Sequence, residues 1–451
     1  MSIINNMPNK SGMDINGIEK EYYVYKEETV NAGDFVETIQ GIKETRSTDS
    51  VSSTITSAGT YGVATCTKII VLNENVFVAV VSESSWSTYN RRFITYQYKD
   101  GALTVLSKTD SLSASASMTV VKVGEHTLLA MSEGHKLTAI SLSEDFKTMT
   151  IGSTKTISAG SKSYGFYGHI YIPLTDNSGA LIYGTNPSGS SFAIGYCFLT
   201  FSGTTIAITN QTSSLTNSSG TAYTGEFYCT ETPSKIQEGK YFYCDSYHTW
   251  LITVDNTNKK VYCDNFTKTG TYVTPVVNHI FDGNKMVCGA YNSYNDNYQY
   301  SLCEIDINAL TFTEITESVN GGTSINGVTR AYGNYVYLFS RYNPNNSSNT
   351  MFNINVLEIV GDKLICYNKV TAFNNGDASP DPCYFEGKHI ISDYQASGYD
   401  ARVHVTSIVI PEMQVKTTTV ENGSLGIAKT AGTGGDSSNH NEKVTVIVPN
   451  I

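Results

Sequence analysis

The sequence predicts an all-β chain built mostly from one repeated sheet. Three observations predict it: a composition set against helix, a strand–turn–strand unit that returns about every fifty residues, and strand-like phrases at both ends that fall outside the repeat. Among the 451 residues are 31 Tyr and 37 Gly, and only 16% are charged. Tyr, Val, Ile and Thr suit a pleated, half-buried surface, whereas helix surfaces draw on Ala, Glu, Lys and Leu. A chain of this length outgrows a single hydrophobic core, so a radially repeated domain with a small companion, or two domains, is expected.

The repeat begins with a hairpin whose turn carries Gly or Asn and runs into a short apolar strand. It reads Asn75-Val-Phe-Val-Ala-Val, then Gly124-Glu-His-Thr-Leu-Leu, then Gly179-Ala-Leu-Ile-Tyr. It continues as Gly239-Lys-Tyr-Phe-Tyr-Cys, Gly283-Asn-Lys-Met-Val-Cys, Gly333-Asn-Tyr-Val-Tyr-Leu and Gly387-Lys-His-Ile-Ile. Tight turns demand positive φ, which Gly and Asn supply cheaply. Each copy then shows a third strand, a second turn and a fourth strand. The first has Phe93–Tyr98, the turn at Gly101 and then Ala102-Leu-Thr-Val-Leu; the sixth has Phe352–Ile359, the turn at Gly361 and then Lys363-Leu-Ile-Cys-Tyr. Four antiparallel strands per copy at this period predict the blades of a β-propeller. About seven blades fit, with six or eight as alternatives. The last copy lacks an outer strand after Ile410, and the Thr/Ser/Val stretch from Thr48 to Ser57 is expected to supply it, closing the ring from the other end of the chain.

The expected domains are residues 1–44, the first half of a small β-domain; 45–413, the propeller; and 414–451, the second half of the small domain. Neither end alone has enough apolar residues to hold a core. At the front, Val30-Asn-Ala-Gly33-Asp-Phe-Val-Glu37 reads as strands around an Ala-Gly-Asp turn. At the back, Gly426-Ile-Ala-Lys-Thr-Ala-Gly432-Thr-Gly-Gly435-Asp leads into Lys443-Val-Thr-Val-Ile-Val-Pro449.

These paired terminal phrases resemble the small β-domains of tailed-bacteriophage virion structural proteins, chiefly capsid decoration (cement or head-fibre) proteins. The resemblance covers roughly a hundred residues or fewer, a length typical of one small domain. This chain departs from the pattern by inserting a propeller and by the Ser437–Glu442 addition to the last loop. In such families the terminal domain docks on the particle and the insert faces outward. The resemblance implies a virion protein, assembled in the host bacterial cytoplasm, that partners the major capsid protein or other virion proteins and forms a homo-oligomer. The alternative is a tail-fibre or baseplate receptor-binding protein that recognises a host surface glycan.

Several function classes are set aside by the residues. A net charge of −11 with no basic run argues against nucleic acid as a partner. The stretch Met1–Lys20 lacks a signal-peptide core, and no segment has membrane-spanning length, so synthesis in the cytoplasm and no membrane insertion are expected. The nine cysteines form no C-x-x-C pair and sit in apolar strand phrases such as Tyr-Phe-Tyr-Cys244 and Met-Val-Cys288, as buried thiols do. No H-E-x-x-H, G-x-S-x-G or phosphate-loop pattern is present, and Asp255-Asn-Thr-Asn258 and Asp282-Gly-Asn284 do not continue as calcium loops. The chain is therefore expected to be no enzyme, with no catalytic residues, no metal site and no cofactor. A carboxylate pair drawn from different blades is not readable from spacing.

The candidate binding residues lie instead in connections within blades that are rich in aromatic, Asn and Ser residues. They are Trp86, Tyr89, Tyr247, Trp250, Tyr291, Tyr294, Tyr298 and Tyr342. Aromatic rings offer rigid contact area at small entropic cost, and Asn and Ser add adaptable hydrogen bonds. Because these connections hold one place in the repeat, they are expected on one face of the propeller.

Overall fold

The structure is a computed structural model. It describes residues 17–24, 29–38, 47–55, 63–85, 88–100, 102–109, 112–114, 118–132, 134–158, 168–185, 193–223, 232–244, 248–270, 274–292, 297–316, 318–320, 329–342, 349–376, 383–385, 389–395, 401–408, 414–418, 426–433 and 443–449. Among the described residues every regular element is a strand.

Seven sheets make the propeller, each an antiparallel meander of strands a, b, c and d. Blade 1 is Val63–Asn73, Val76–Ser85, Thr88–Lys99 and Ala102–Lys108. Blade 2 is Met118–Gly124, Thr127–Ser132, Lys136–Leu142 and Met149–Ile151, and blade 3 is His169–Thr175, Ser178–Thr185, Ala193–Ser202 and Thr205–Thr212. Blade 4 is Ser234–Gln237, Lys240–Cys244, Thr249–Asp255 and Lys260–Asn265, and blade 5 is Thr274–Pro275, Lys285–Asn292, Asn297–Asp306 and Thr311–Glu314. Blade 6 is Thr329–Tyr332, Tyr335–Tyr342, Asn349–Val360 and Lys363–Gly376. Blade 7 takes Cys383–Phe385, His389–Gln395 and Ala401–Ile408 as a, b and c, and its strand d is Ser47–Ile55. That segment pairs antiparallel with Ala401–Ile408, from Ala401 opposite Ile55 to Ile408 opposite Ser47.

In blades 1 to 5 the b strands are covered on both faces, which is why they read as unbroken apolar runs rather than as alternating ones. In Val76–Val81 all six side chains are buried. Phe77, Ala79 and Val81 pack on one side of blade 1, while Val76, Val78 and Val80 join Val120, Leu128, Ala130 and Ile140 of blade 2 on the other. The same split divides Tyr171, Leu181 and Tyr183 of blade 3, which face blade 2, from Ile170, Ile172 and Ile182, which face blade 4. Further apolar seams join blade 4 to 5 through Phe242, Met286 and Phe312, and blade 5 to 6 through Val287, Tyr300, Val336 and Leu357. Strand a of blade 6 touches strand a of blade 7, and strand a of blade 1 touches all three of Cys383–Phe385, His389–Gln395 and Ala401–Ile408. The ring is therefore closed.

Both chain ends meet in a second unit. Gly17–Val24, Gln414–Thr417, Phe35–Thr38, Gly426–Ala428 and Lys443–Pro449 form a closed barrel in that order, with Thr29–Val30 pairing Gly432–Thr433 beside it. Its core is Val24, Val30, Val36, Ala428, Val444, Val446 and Val448, all buried. The Lys429 Nζ lies 2.6 Å from Glu19 Oε1, an ion pair joining the two ends of the sequence.

The recurring glycines of the a–b hairpins have two different reasons, where the sequence reading gave one. Gly239, Gly283 and Gly333 adopt positive φ, as a tight turn requires. Gly124 and Gly179 are kept small by neighbours instead: a Cβ would lie 2.2 Å from the Asp176 carbonyl oxygen of the next blade at the first, and 2.4 Å from the Tyr171 ring at the second.

Candidate functional site

Antiparallel alternation gives the ring two unlike faces. The a–b and c–d turns issue from one, the lower face. The b–c connections and the d–a crossovers between blades issue from the other, the upper face. Neighbouring blades meet like end to like end. On the lower side Lys122 Nζ of blade 2 donates to the Leu72 carbonyl of blade 1, and Lys285 Nζ of blade 5 lies 2.6 Å from Asp362 of blade 6. On the upper side the His135 ring of blade 2 sits 5.8 Å from the His169 ring of blade 3.

The lower face is occupied by its own hydrogen bonds. Asp255 Oδ1 accepts from the backbone amides of Thr257 and Asn258, and Asp306 Oδ1 from those of Asn308 and Ala309. Amides of Asn258, backbone and side chain, hold the Asp255 carboxyl below its ordinary value, and the Ala309 and Asn308 amides do the same for Asp306. These carboxylates cap turns, which is the use their Asn- and Asp-rich sequences suggest. Asp282 and Asp362 both face Lys285 Nζ, at 3.7 and 2.6 Å.

The sequence candidates fall as follows. Trp250 is a correction: it is fully buried in strand c of blade 4, in the seam with blade 3. Its indole packs between His248, Tyr223 and Tyr243, with ring centroids 4.4, 5.3 and 5.6 Å away. The strand begins at Thr249, so the aromatic that looked like the end of a polar loop is the second residue of a covered strand. Trp86, Tyr247 and Tyr294 lie outside the described residues. For the other four the backbone register is given. Tyr89 stands opposite Ser84 in blade 1, Tyr291 opposite Tyr298 in blade 5, and Tyr342 opposite Met351 in blade 6. All four occupy the upper ends of b and c strands, beside the b–c connections.

The sequence motifs assigned the histidines no role and did not reveal a buried pair. His169 opens strand a of blade 3 and is 2% exposed; His135, at φ +54° in the b–c turn of blade 2, is 9% exposed. Burial lowers both from the usual imidazole value, His169 to about 3 with the His135 ring adding to the effect. The signal available in sequence was the apolar Ile-Tyr-Ile run directly after His169. Burial likewise pushes the Cys197 and Cys366 thiols up to about 12 and the Cys263 thiol well above its usual value, so none of these is an activated nucleophile. Cys303 departs from this, held down by a hydrogen bond from the Cys288 thiol. Among the described residues no group of three or more His, Cys, Asp or Glu is placed to hold a metal ion.

The chain matches no protein-family model, and no curated protein matches it. Solved structures do. The WD40 domain of SCAP from fission yeast is similar at 10% identity over 79% of this chain and 98% of that one, with a TM-score of 0.39. The WD40 domain of coronin from Toxoplasma gondii gives 9% identity, 84% and 90% coverage and 0.38. The β-propeller domain of Cps50 (Swd1) from Myceliophteria thermophila gives 11%, 77% and 100%, and 0.38. The fold is a β-propeller. At these scores that statement rests on the closed ring of seven sheets rather than on the likenesses.

Proposed function

We propose that the chain is a structural protein of a bacteriophage virion, a capsid decoration protein that docks through its terminal barrel and displays the propeller on the particle surface. One observation carries the reading: the terminal phrases that resemble decoration domains are the ones that build the barrel. In Val30-Asn-Ala-Gly33-Asp-Phe-Val-Glu37 the Asp34 carboxylate accepts from the Asn31 backbone amide at 2.8 Å, and Gly33 takes φ +89°. The turn is then pinned to the other end of the chain, because the Gly33 amide donates to the Ala428 carbonyl at 2.7 Å and the Ala428 amide to the Asp34 carbonyl at 2.9 Å. A unit whose halves lie at opposite ends of the sequence carries its insert on two tethers, which suits a docking domain. The proposed partners are the major capsid protein or other virion proteins, with copies associating into a homo-oligomer around local symmetry axes.

A second reading, a tail-fibre or baseplate protein that recognises host glycan, draws on the aromatic upper ends of blades 1, 5 and 6. One experiment separates the two. Particles purified from cultures of the host strain carrying the gene are labelled with immunogold against residues 60–410 and imaged. Gold over the whole head supports decoration. Gold confined to the tail tip supports receptor binding, and particles without gold overturn both.

A further inference from the structure

The propeller keeps its sheet edges at the rim, where the outer strand of each blade turns one row of backbone amides and carbonyls away from its sheet. Two of these edges are covered by the chain itself. The crossover from blade 3 lies along blade 4, where the Cys263 amide donates to the Thr216 carbonyl at 3.1 Å. The crossover from blade 4 lies along blade 5, with Thr267 to Thr269 parallel to Thr311 to Thr313. Blade 2 has a very short outer strand, Met149–Ile151, and those of blades 1, 6 and 7 carry charge at Lys108, Lys363 and Asp49. Short edges and edge charges keep one sheet from joining another. Blade 3 has neither cover nor charge. Among the described residues its outer strand Thr205–Thr212 pairs on one side only, and from Asn177 to Gly225 the sequence has no Asp, Glu, Lys, Arg or His.

The register fixes what this edge offers. The Phe201 amide of strand c donates to the Asn177 carbonyl on the strand b side at 2.8 Å, so the backbone groups of the next residue, Thr200, point to strand d. Thr200 stands opposite Ala207, whose amide and carbonyl are thereby turned inward, and those of Ile206 and Ile208 are turned out to the rim. On the faces of the sheet, Ile206 is buried against blade 2 with Ile208 packed beside it, while Thr205, Ala207 and Thr209 are exposed. The straight run ends at Asn210, which takes φ +50° where the pairing with strand c shifts. Thr205-Ile206-Ala207-Ile208-Thr209 reads the same in both directions from Ala207.

We infer that the outer strand of blade 3 is the surface through which two copies of this chain associate, pairing antiparallel across a two-fold axis at Ala207. Thr205 then meets Thr209 of the second copy, Ile206 meets Ile208, and Ala207 meets itself. The Ile206–Ile208 pairs exchange both backbone hydrogen bonds, and β-branched side chains face their own kind on each side of the joined sheet. Symmetry and charge both select a second copy as the occupant. An edge that reads alike in both directions is complementary to itself, as a two-fold interface requires. Copies with a net charge of −11 repel one another, and this contact falls where the chain carries no charge. The inference rests on the proposed function in one respect: there the copies associate, and this edge gives the association a surface that uses no strand of the barrel.

Sedimentation velocity of the isolated full-length chain over a concentration series tests the inference without particles. The chain should populate a dimer. Ala207→Lys and Ala207→Glu each bring like charges together at the axis, on a side chain that solvent already reaches. Each should weaken the dimer about tenfold or more at an unchanged melting temperature. An equimolar mixture of the two should pair again, because Lys then faces Glu. Val105→Lys, at a likewise exposed position on the outer strand of blade 1, should leave the dimer unaltered. A chain that stays monomeric throughout the series, a dimer that survives both charge variants, a mixture that fails to pair, or dissociation by Val105→Lys overturns the inference. Particle labelling reads where the protein sits, so a monomer in solution beside gold over the head would remove this surface and keep the decoration reading.

Discussion

Trp250 shows how far a single residue can be read from its neighbours. Asp245-Ser-Tyr-His-Thr-Trp250 is polar and turn-like in one dimension, yet the indole fills the seam between blades 3 and 4. Trp250→Ala is expected to destabilise the fold by about 3–5 kcal/mol through the cavity it leaves, read as a shift in the urea midpoint. The His135–His169 pair has an equally local consequence. Both imidazoles lie below their unfolded value of about 6.5, so the unfolded chain binds the extra protons, and stability present above that pH is lost as pH falls toward 3. At pH 5 the His169 part alone comes to about 2 kcal/mol. The midpoint should therefore drop between pH 7 and pH 5, and drop by less in His169→Gln; equal drops would remove His169 as the cause. The apolar run after His169 hinted at its burial, but the packing of Trp250 and the meeting of the two histidines were not legible, because both depend on which blade comes next, a contact that strand pattern does not specify.

At the scale of elements the sequence was much more legible. Turns and the b strands follow from apolar runs punctuated by Gly and Asn, since the b strands are covered on both faces while the turns and outer strands meet water. Legibility falls where a strand is short or irregular. Strand a of blade 5 is only Thr274–Pro275, and the crossover after blade 4 lays Thr267–Thr269 in parallel along the outer strand of blade 5, an edge cover that no periodicity announces. The last blade was read from an absence, a missing fourth strand, and the Ser47–Ile55 segment pairs in that place. Deleting residues 45–57 should lower the melting temperature by about 10 °C or more, because it bares strand c of blade 7 as an open edge and removes the link between the ends of the ring. An unchanged melt would show that this pairing contributes nothing to closure.

For the whole molecule, the arrangement separates two jobs in one chain. The propeller is bound together by apolar seams between blades, and the barrel by strands drawn from the two ends of the sequence, so damage to one need not reach the other. Gly426 offers the means to test this. A Cβ there would lie 2.2 Å from the Ile447 carbonyl oxygen, in the middle of the barrel ladder. On the proposed decoration role, Gly426→Ala is expected to abolish incorporation into particles while leaving the main unfolding transition of the propeller in place, measured by calorimetry beside particle composition. Incorporation at the normal level would remove the barrel as the anchor. The terminal unit was visible in sequence as strand phrases at both ends that fall outside the repeat, neither with enough apolar residues for a core of its own. Its closure depends on strands from opposite ends of the chain meeting, as Gly17 meets Pro449, which local pattern does not encode.

The strand that completes blade 7 leaves the ribosome ahead of every other strand of the propeller. Its partner, Ala401–Ile408, emerges about 350 residues later, which at about 5–20 residues per second is a wait of roughly 20–70 s. By the end of that interval blades 1 to 6 form an open arc, with the apolar flank of blade 1 at Phe77, Ala79 and Val81 awaiting its neighbour. Closure is therefore a late folding event and a slow, non-local one, so misassembly between two nascent copies, each lending the strand Ser47–Ile55 to the other's blade 7, is the failure this topology invites.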